Sequence, residues 1–134
     1  MTERRPFGVL DTNVYIDLAK LDPALLPEIP ELSVITLAEL HQGLPMAKDA
    51  ATREARTGRL GIAIENFEPL PFDRLAATRY GSLVGLTIAA GRSPRSREFD
   101  LMIAATASCH QLPLYTRNAK DFVGLESLVE VIEV

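Results

Sequence analysis

Phe7-Gly8-Val9-Leu10-Asp11-Thr12-Asn13 is the stretch on which the fold turns. An apolar run that ends in an acid reads as a short buried strand, handing over to a helix from about Asn13 to Lys20. In an α/β protein, ligands collect beyond the carboxyl ends of the strands, which is where Asp11 falls.

Working outward, Pro23, Pro27 and Pro30 break regular structure and make a connector, and Leu32 to Ile35 is a second short strand. Thr36-Leu37-Ala38-Glu39 has the spacing of a capping box, so a helix should start there and run towards Gly43. The polar, Ala-rich stretch from Ala47 to Phe67 reads as a long exposed helix, with Gly58 and Gly61 as its candidate breaks. Pro69-Leu70-Pro71 is at most an edge strand. Asp73 caps a helix to about Ala90, Gly91 to Arg97 is a basic loop, and Glu98 to His110 is the next helix. Leu112 to Tyr115 and Val129 to Val134 complete the strands. Strands alternating with helices predict an α/β fold, its parallel sheet covered on both faces, with residues 1–134 forming one domain.

The bulk properties agree. A chain of 134 residues, 47% of them hydrophobic, supports one core, and with no Trp that core is aliphatic. A net charge of −4 argues against a generic nucleic-acid coat protein but not against an enzyme that offsets its acids with metal ions. One cysteine, Cys109, excludes an internal disulfide and a Cys-based zinc site, and suits a reducing cytoplasm. Met1 to Phe7 is too short and polar for a signal sequence, and Leu83 to Ala90, broken by Gly85 and Thr87, cannot span a bilayer.

Four acids then stand out by placement. Asp11, Glu39 and Asp121 each fall just past a predicted strand end, and Asp100 opens a helix. Each has an ordinary explanation: Asp11 as a helix cap, Glu39 as half of a capping box, Asp100 at a favourable helix start, Asp121 as a turn residue. Their joint placement at one sheet edge is what points further. Several carboxylates in one cleft cannot all stay ionised without a cation. Oxygen ligands without His or Cys suit Mg²⁺ or Mn²⁺ rather than zinc, and a pair of such ions about 4 Å apart serves phosphoryl chemistry. Thr12, Asn13, Thr116 and Asn118 are placed to orient a water or a phosphate oxygen. Nuclease and phosphatase both fit.

These residues resemble the PIN-domain family, especially the VapC-type toxins of bacterial toxin–antitoxin modules. The marks are Val9-Leu10-Asp11-Thr12-Asn13, Thr36-Leu37-Ala38-Glu39-Leu40, Asp100-Leu101-Met102-Ile103-Ala104-Ala105-Thr106-Ala107, and Leu114-Tyr115-Thr116-Arg117-Asn118-Ala119-Lys120-Asp121-Phe122, in that order across nearly the whole chain. The resemblance implies a single PIN-like α/β/α sandwich and a Mg²⁺- or Mn²⁺-dependent ribonuclease in which metal-activated water cleaves structured RNA, tRNA or rRNA. It carries Asp11, Glu39 and Asp100 over as site acids. The family often has a fourth acid where this chain has Asn118, so Asp121 is expected to supply that charge or to act from behind. It also implies a homodimer and a VapB-like antitoxin whose tail blocks the acidic groove.

Arg92, Arg95 and Arg97 form the dense basic cluster, read either as a solvated loop or as phosphate contacts for RNA. His110 ends its helix, Cys109 packs in the core, and Tyr80, Leu83, Leu86 and Ile88 suit either a core or a subunit interface. A haloacid-dehalogenase-like phosphatase would need a second Asp at Asn13, and a phospho-receiver would need paired acids after the first strand. The remaining alternatives are a housekeeping RNA-processing PIN nuclease and a non-catalytic RNA- or protein-binding PIN domain. The latter loses site acids, whereas this chain keeps at least three.

Overall fold

The computed structural model describes residues 4–134, so the expectation about the leader falls partly outside the described residues. Strand β1 (Phe7–Leu10) leads into α1 (Thr12–Ile16), followed by two short 3-10 turns, Leu18–Lys20 and Pro23–Leu25. Then come β2 (Ile29–Glu31), α2 (Val34–Gln42), α3 (Ala50–Asn66), α4 (Arg74–Ala89), α5 (Glu98–Cys109), β3 (Leu114–Thr116), a 3-10 turn (Ala119–Phe122) and β4 (Val131–Glu133). The strands form a parallel sheet in the order β2-β1-β3-β4, with Val9 opposite Leu114 and Leu10 opposite Tyr115.

Alternation along the strands builds two cores. Val9 and Leu114 face one side, packing with Leu83 of α4 and with Leu101, Ile103 and Ala104 of α5. Leu10 and Tyr115 face the other, against Val14 of α1, Leu40 of α2 and Leu60 of α3. Helices therefore cover both faces, as the apolar strands require. The central strands are buried except at Phe7, which opens β1; no helix of the described residues is long and apolar enough to cross a membrane.

Several expectations need correction, beginning with the first helix, which closes at Ile16 before a separate 3-10 turn instead of running to Lys20. The second strand is Ile29–Glu31 rather than Leu32 to Ile35, and it carries Pro30, which the sheet tolerates because β2 is an edge strand. The helix after it starts at Val34, capped by Ser33, whose Oγ accepts from the Thr36 amide at 3.1 Å. Ser33 thus takes the cap that Thr36 was expected to supply, and Glu39 lies inside α2 rather than just past a strand. Helix α3 runs unbroken through Gly58 and Gly61. Cys109 is half-buried and lines a surface hollow with Arg5, Arg79 and Gln111 instead of packing in the core.

Other expectations hold. Asp73 caps α4, its Oδ1 accepting from the Ala76 amide at 3.0 Å, and Leu70 is confined to an isolated bridge with Ser33. His110 ends α5 with Nδ1 2.9 Å from the Thr106 carbonyl. Leu83, Tyr80 and Leu86 pack in the core, while Ile88 is exposed.

Candidate active site

Sheet topology brings the acids together. Asp11 follows the end of β1 and caps α1, Asp121 lies in the turn after the adjacent β3, Glu39 comes from α2, and Asp100 from the first turn of α5. Asp11, Glu39 and Asp100 each feel the charge of at least one other acid of the group. Burial raises the Asp11 carboxyl above its ordinary value, with Glu39 and Asp121 adding to the rise. Burial likewise raises Glu39, with Asp100 contributing. Asp100 is pushed up to about 6, chiefly by burial and then by the charges of Asp11 and Asp121, against the pull of Arg97. Three carboxyls held above their usual range in one cleft mark a place where a cation is wanted.

Threonines orient two of these acids. Asp11 is 3% exposed; its Oδ1 accepts from the Thr12 amide at 2.9 Å and its Oδ2 from Thr116 Oγ1 at 2.8 Å. Thr12 Oγ1 donates to Glu39 Oε1 at 2.7 Å. The protons of Thr12 and Thr116 are therefore committed to carboxylates, so neither hydroxyl has a proton left to donate to a phosphate oxygen. Asn13 Oδ1 accepts from the Arg117 amide at 3.3 Å, and Arg117 Nη1 donates to Asp17 at 2.8 Å, tying α1 to the segment after β3. The Asn118 amide donates to Thr116 Oγ1 at 3.1 Å, and its side chain is exposed.

Asp121 differs from the other three. Arg97 lies 3.4 Å and Arg92 3.8 Å from its Oδ1. Arg97 also donates to the Asp121 carbonyl, and Arg92 to that of Lys120. Two arginines of the basic loop thus hold the turn that carries Asp121. The Arg95 side chain is exposed, with no hydrogen bond or ion pair among the described residues.

Whether these acids suit Mg²⁺ or Mn²⁺ turns on their donor set. Among the described residues, no three His, Cys, Asp or Glu converge tightly enough to enclose an ion by themselves. Mg²⁺ does not require a closed cage, since it keeps several waters and takes one or two carboxylates together with substrate phosphates. The oxygen-only set fits that ion.

Sequence reading missed the groove that runs from the acids. A hollow of about 310 Å³ opens from Thr12 and Glu39, floored by Ile16, Leu40 and Met46, with Arg56 and Arg59 along its side. It forms where α1, α2 and α3 meet, and the sequence carries no local signal for that meeting.

A parallel sheet in this order, helices on both faces and acids gathered at its carboxyl edge define a PIN-type α/β/α protein. No protein-family model matches the sequence. The chain is 39% identical to Ribonuclease VapC5 of Mycobacterium tuberculosis over 134 residues, covering 95% of each chain. It is 36% identical to Ribonuclease VapC8 of the same organism over 103 residues, 75% of this chain and 89% of that one. It also matches a chain in the crystal structure of VapBC-5, a member of the VapBC family of toxin–antitoxin systems from M. tuberculosis. That match has a TM-score of 0.84 and 38% identity, and covers 96% of this chain and 99% of that one. A chain of VapBC-1 from nontypeable Haemophilus influenzae gives a TM-score of 0.73 at 25% identity, covering 95% and 97%. The protein belongs to the VapC ribonuclease family of toxin–antitoxin systems.

Proposed function

We propose that this protein is a Mg²⁺- or Mn²⁺-dependent endoribonuclease, the toxin of a toxin–antitoxin pair, cleaving structured RNA such as tRNA or rRNA. The observation that carries the reading is the convergence of Asp11, Glu39 and Asp100 from three separate elements, each carboxyl raised by burial and by neighbouring acids. The names of its relatives, Ribonuclease VapC5 and VapC8, support the chemistry, and the VapBC titles support a VapB-like antitoxin as partner. A homodimer, action in the cytoplasm and the working of residues 1–134 as one domain belong to the same proposal.

Asp11, Glu39 and Asp100 would hold the metal, which supplies a water of lowered pKa and neutralises charge on the phosphate. The chain's own groups do the rest. Thr116 and Thr12 favour the ionised form of Asp11 and orient it by donating to both its oxygens, and Thr12 orients Glu39. Asp121, paired with Arg92 and Arg97, adds negative charge behind Asp100 and fixes the basic loop beside the cleft. Arg95, exposed on the basic loop, would meet a phosphate of incoming RNA. The groove with Arg56 and Arg59 gives the antitoxin's tail a route to the acids.

Incubating the antitoxin-free protein with total cellular RNA tests the reading. Discrete fragments are expected with Mg²⁺ or Mn²⁺, none with EDTA, and none once a cognate antitoxin is added. RNA left intact by a folded protein under every metal condition would refute it.

A further inference from the structure

Thr36 lies three residues before Glu39 on α2, and its side chain is fully buried. Threonines further along the helices return their hydroxyl proton to the carbonyl four residues back: Thr57 to Arg53, Thr78 to Arg74, Thr87 to Leu83 and Thr106 to Met102. Thr36 does not. The carbonyl four residues before it, that of Leu32, instead accepts from the Leu70 amide at 2.8 Å, where the chain crosses back beside α2. The Thr36 hydroxyl turns to Thr12 Oγ1, 2.9 Å away.

The direction of that bond follows from the next one. Thr12 Oγ1 donates to Glu39 Oε1 at 2.7 Å, and a hydroxyl has one proton to give. Thr12 Oγ1 must then accept from Thr36. The chain runs from Thr36 to Thr12 to Glu39, and such chains strengthen bond by bond in a poorly solvated setting. Thr12 also gives its amide to Asp11 Oδ1 at 2.9 Å, so one residue sets both acids.

We propose that Thr36 is a positioning residue of the acidic site: its buried hydroxyl commits the Thr12 proton to Glu39 and holds that carboxylate in register with Asp11. The inference deepens the nuclease reading and, for its effect on cleavage, rests on it.

The test follows the Glu39 carboxyl carbon by NMR in metal-free protein carrying ¹³C-labelled glutamate, alongside RNA cleavage. Thr36→Val keeps the buried volume while removing the hydroxyl; Thr36→Ala serves if that variant does not fold, with melting temperature as the check. Thr36→Val should move the Glu39 resonance in the same direction as Thr12→Val, and Thr36→Ser should leave it at the wild-type position. The Thr12→Val/Thr36→Val double variant should match Thr12→Val alone, because without Thr12 the link to Glu39 is already cut. Cleavage by Thr36→Val should lose about tenfold in kcat with KM little changed, and Thr36→Ser should restore it. A Glu39 resonance unmoved by Thr36→Val but moved by Thr12→Val would overturn the relay, as would losses that simply add in the double variant. If the wild type cut no RNA while the resonances moved as expected, the nuclease reading would fall and the relay would stand.

Discussion

Thr116 Oγ1 donates to Asp11 Oδ2 at 2.8 Å, joining residues 105 positions apart at the ends of the paired strands β1 and β3. This bond favours the ionised form of a carboxylate that burial pushes the other way. Thr116→Val would leave a buried carboxylate one donor short, at a cost of about 1–3 kcal/mol. The Asp11 proton would then be held to higher pH, so the acidic limb of the pH–rate profile should move upward. A profile that stays in place would contradict this assignment.

Asp100 gives stability a definite pH sign. Its carboxyl stands at about 6 in the folded protein against an ordinary 3.8, so between those values the native state binds the proton more tightly than the unfolded chain does. Stability from this group is complete below the ordinary value and lost as pH rises through about 6. Asp11 and Glu39, also raised, act in the same direction. Urea titrations in EDTA should show the protein weakening from pH 4.5 to pH 7. Asp100→Asn should flatten that decline by about 1 kcal/mol, after allowance for solvent screening. Mn²⁺ added at neutral pH should raise the melting temperature of the wild type and not of Asp100→Asn. A decline equally steep in the variant would place the titrating charge elsewhere.

Two arginines of one loop should leave different signatures. Arg95 is exposed and has no partner among the described residues, so Arg95→Ala should reduce the salt slope of RNA binding by about 0.7–0.9. Arg97 is paired with Asp121 and lowers the Asp100 carboxyl. Arg97→Ala should therefore shift the pH dependence of cleavage upward. Filter-binding at several salt concentrations, with a pH–rate profile for each variant, separates the two. Identical behaviour would mean that the loop acts as a diffuse charge.

Gly8 is fixed by packing rather than by backbone conformation. A Cβ there would fall 2.4 Å from Tyr115 Cε1 and 2.8 Å from Cδ1, on a ring that is itself 3% exposed. Gly8→Ala should destabilise by about 1–3 kcal/mol through displacement of that ring. Chemical denaturation measures the loss, and a variant as stable as the wild type would show that the ring yields freely.

The strands that precede Asp11 and Asp121 were legible because short apolar runs ended in polar residues, and Asp100 because it lies in the first turn of a helix. Glu39 was found for an incomplete reason. Thr36 and Glu39 have capping-box spacing, yet Ser33 has the better claim to the cap because Leu70 bridges to it and fixes the chain just before α2. That bridge is a contact between distant segments, invisible to local pattern. The same holds for the pairing of Arg92 and Arg97 with Asp121 and for the groove beside α3, since both depend on how loops and helices meet. Pro30 misled because proline argues against a central strand and says nothing against an edge.

The most direct test of the central claim compares wild-type protein with Asp100→Asn in cleavage of total cellular RNA under Mg²⁺, with folding of each verified by thermal melting. Discrete fragments are expected from the wild type, suppressed by EDTA, and none from an equally folded Asp100→Asn. Wild-type cleavage retained by Asp100→Asn would contradict it, because the acid whose carboxyl is pushed up to about 6 beside Asp11 and Asp121 would then have no part in the chemistry.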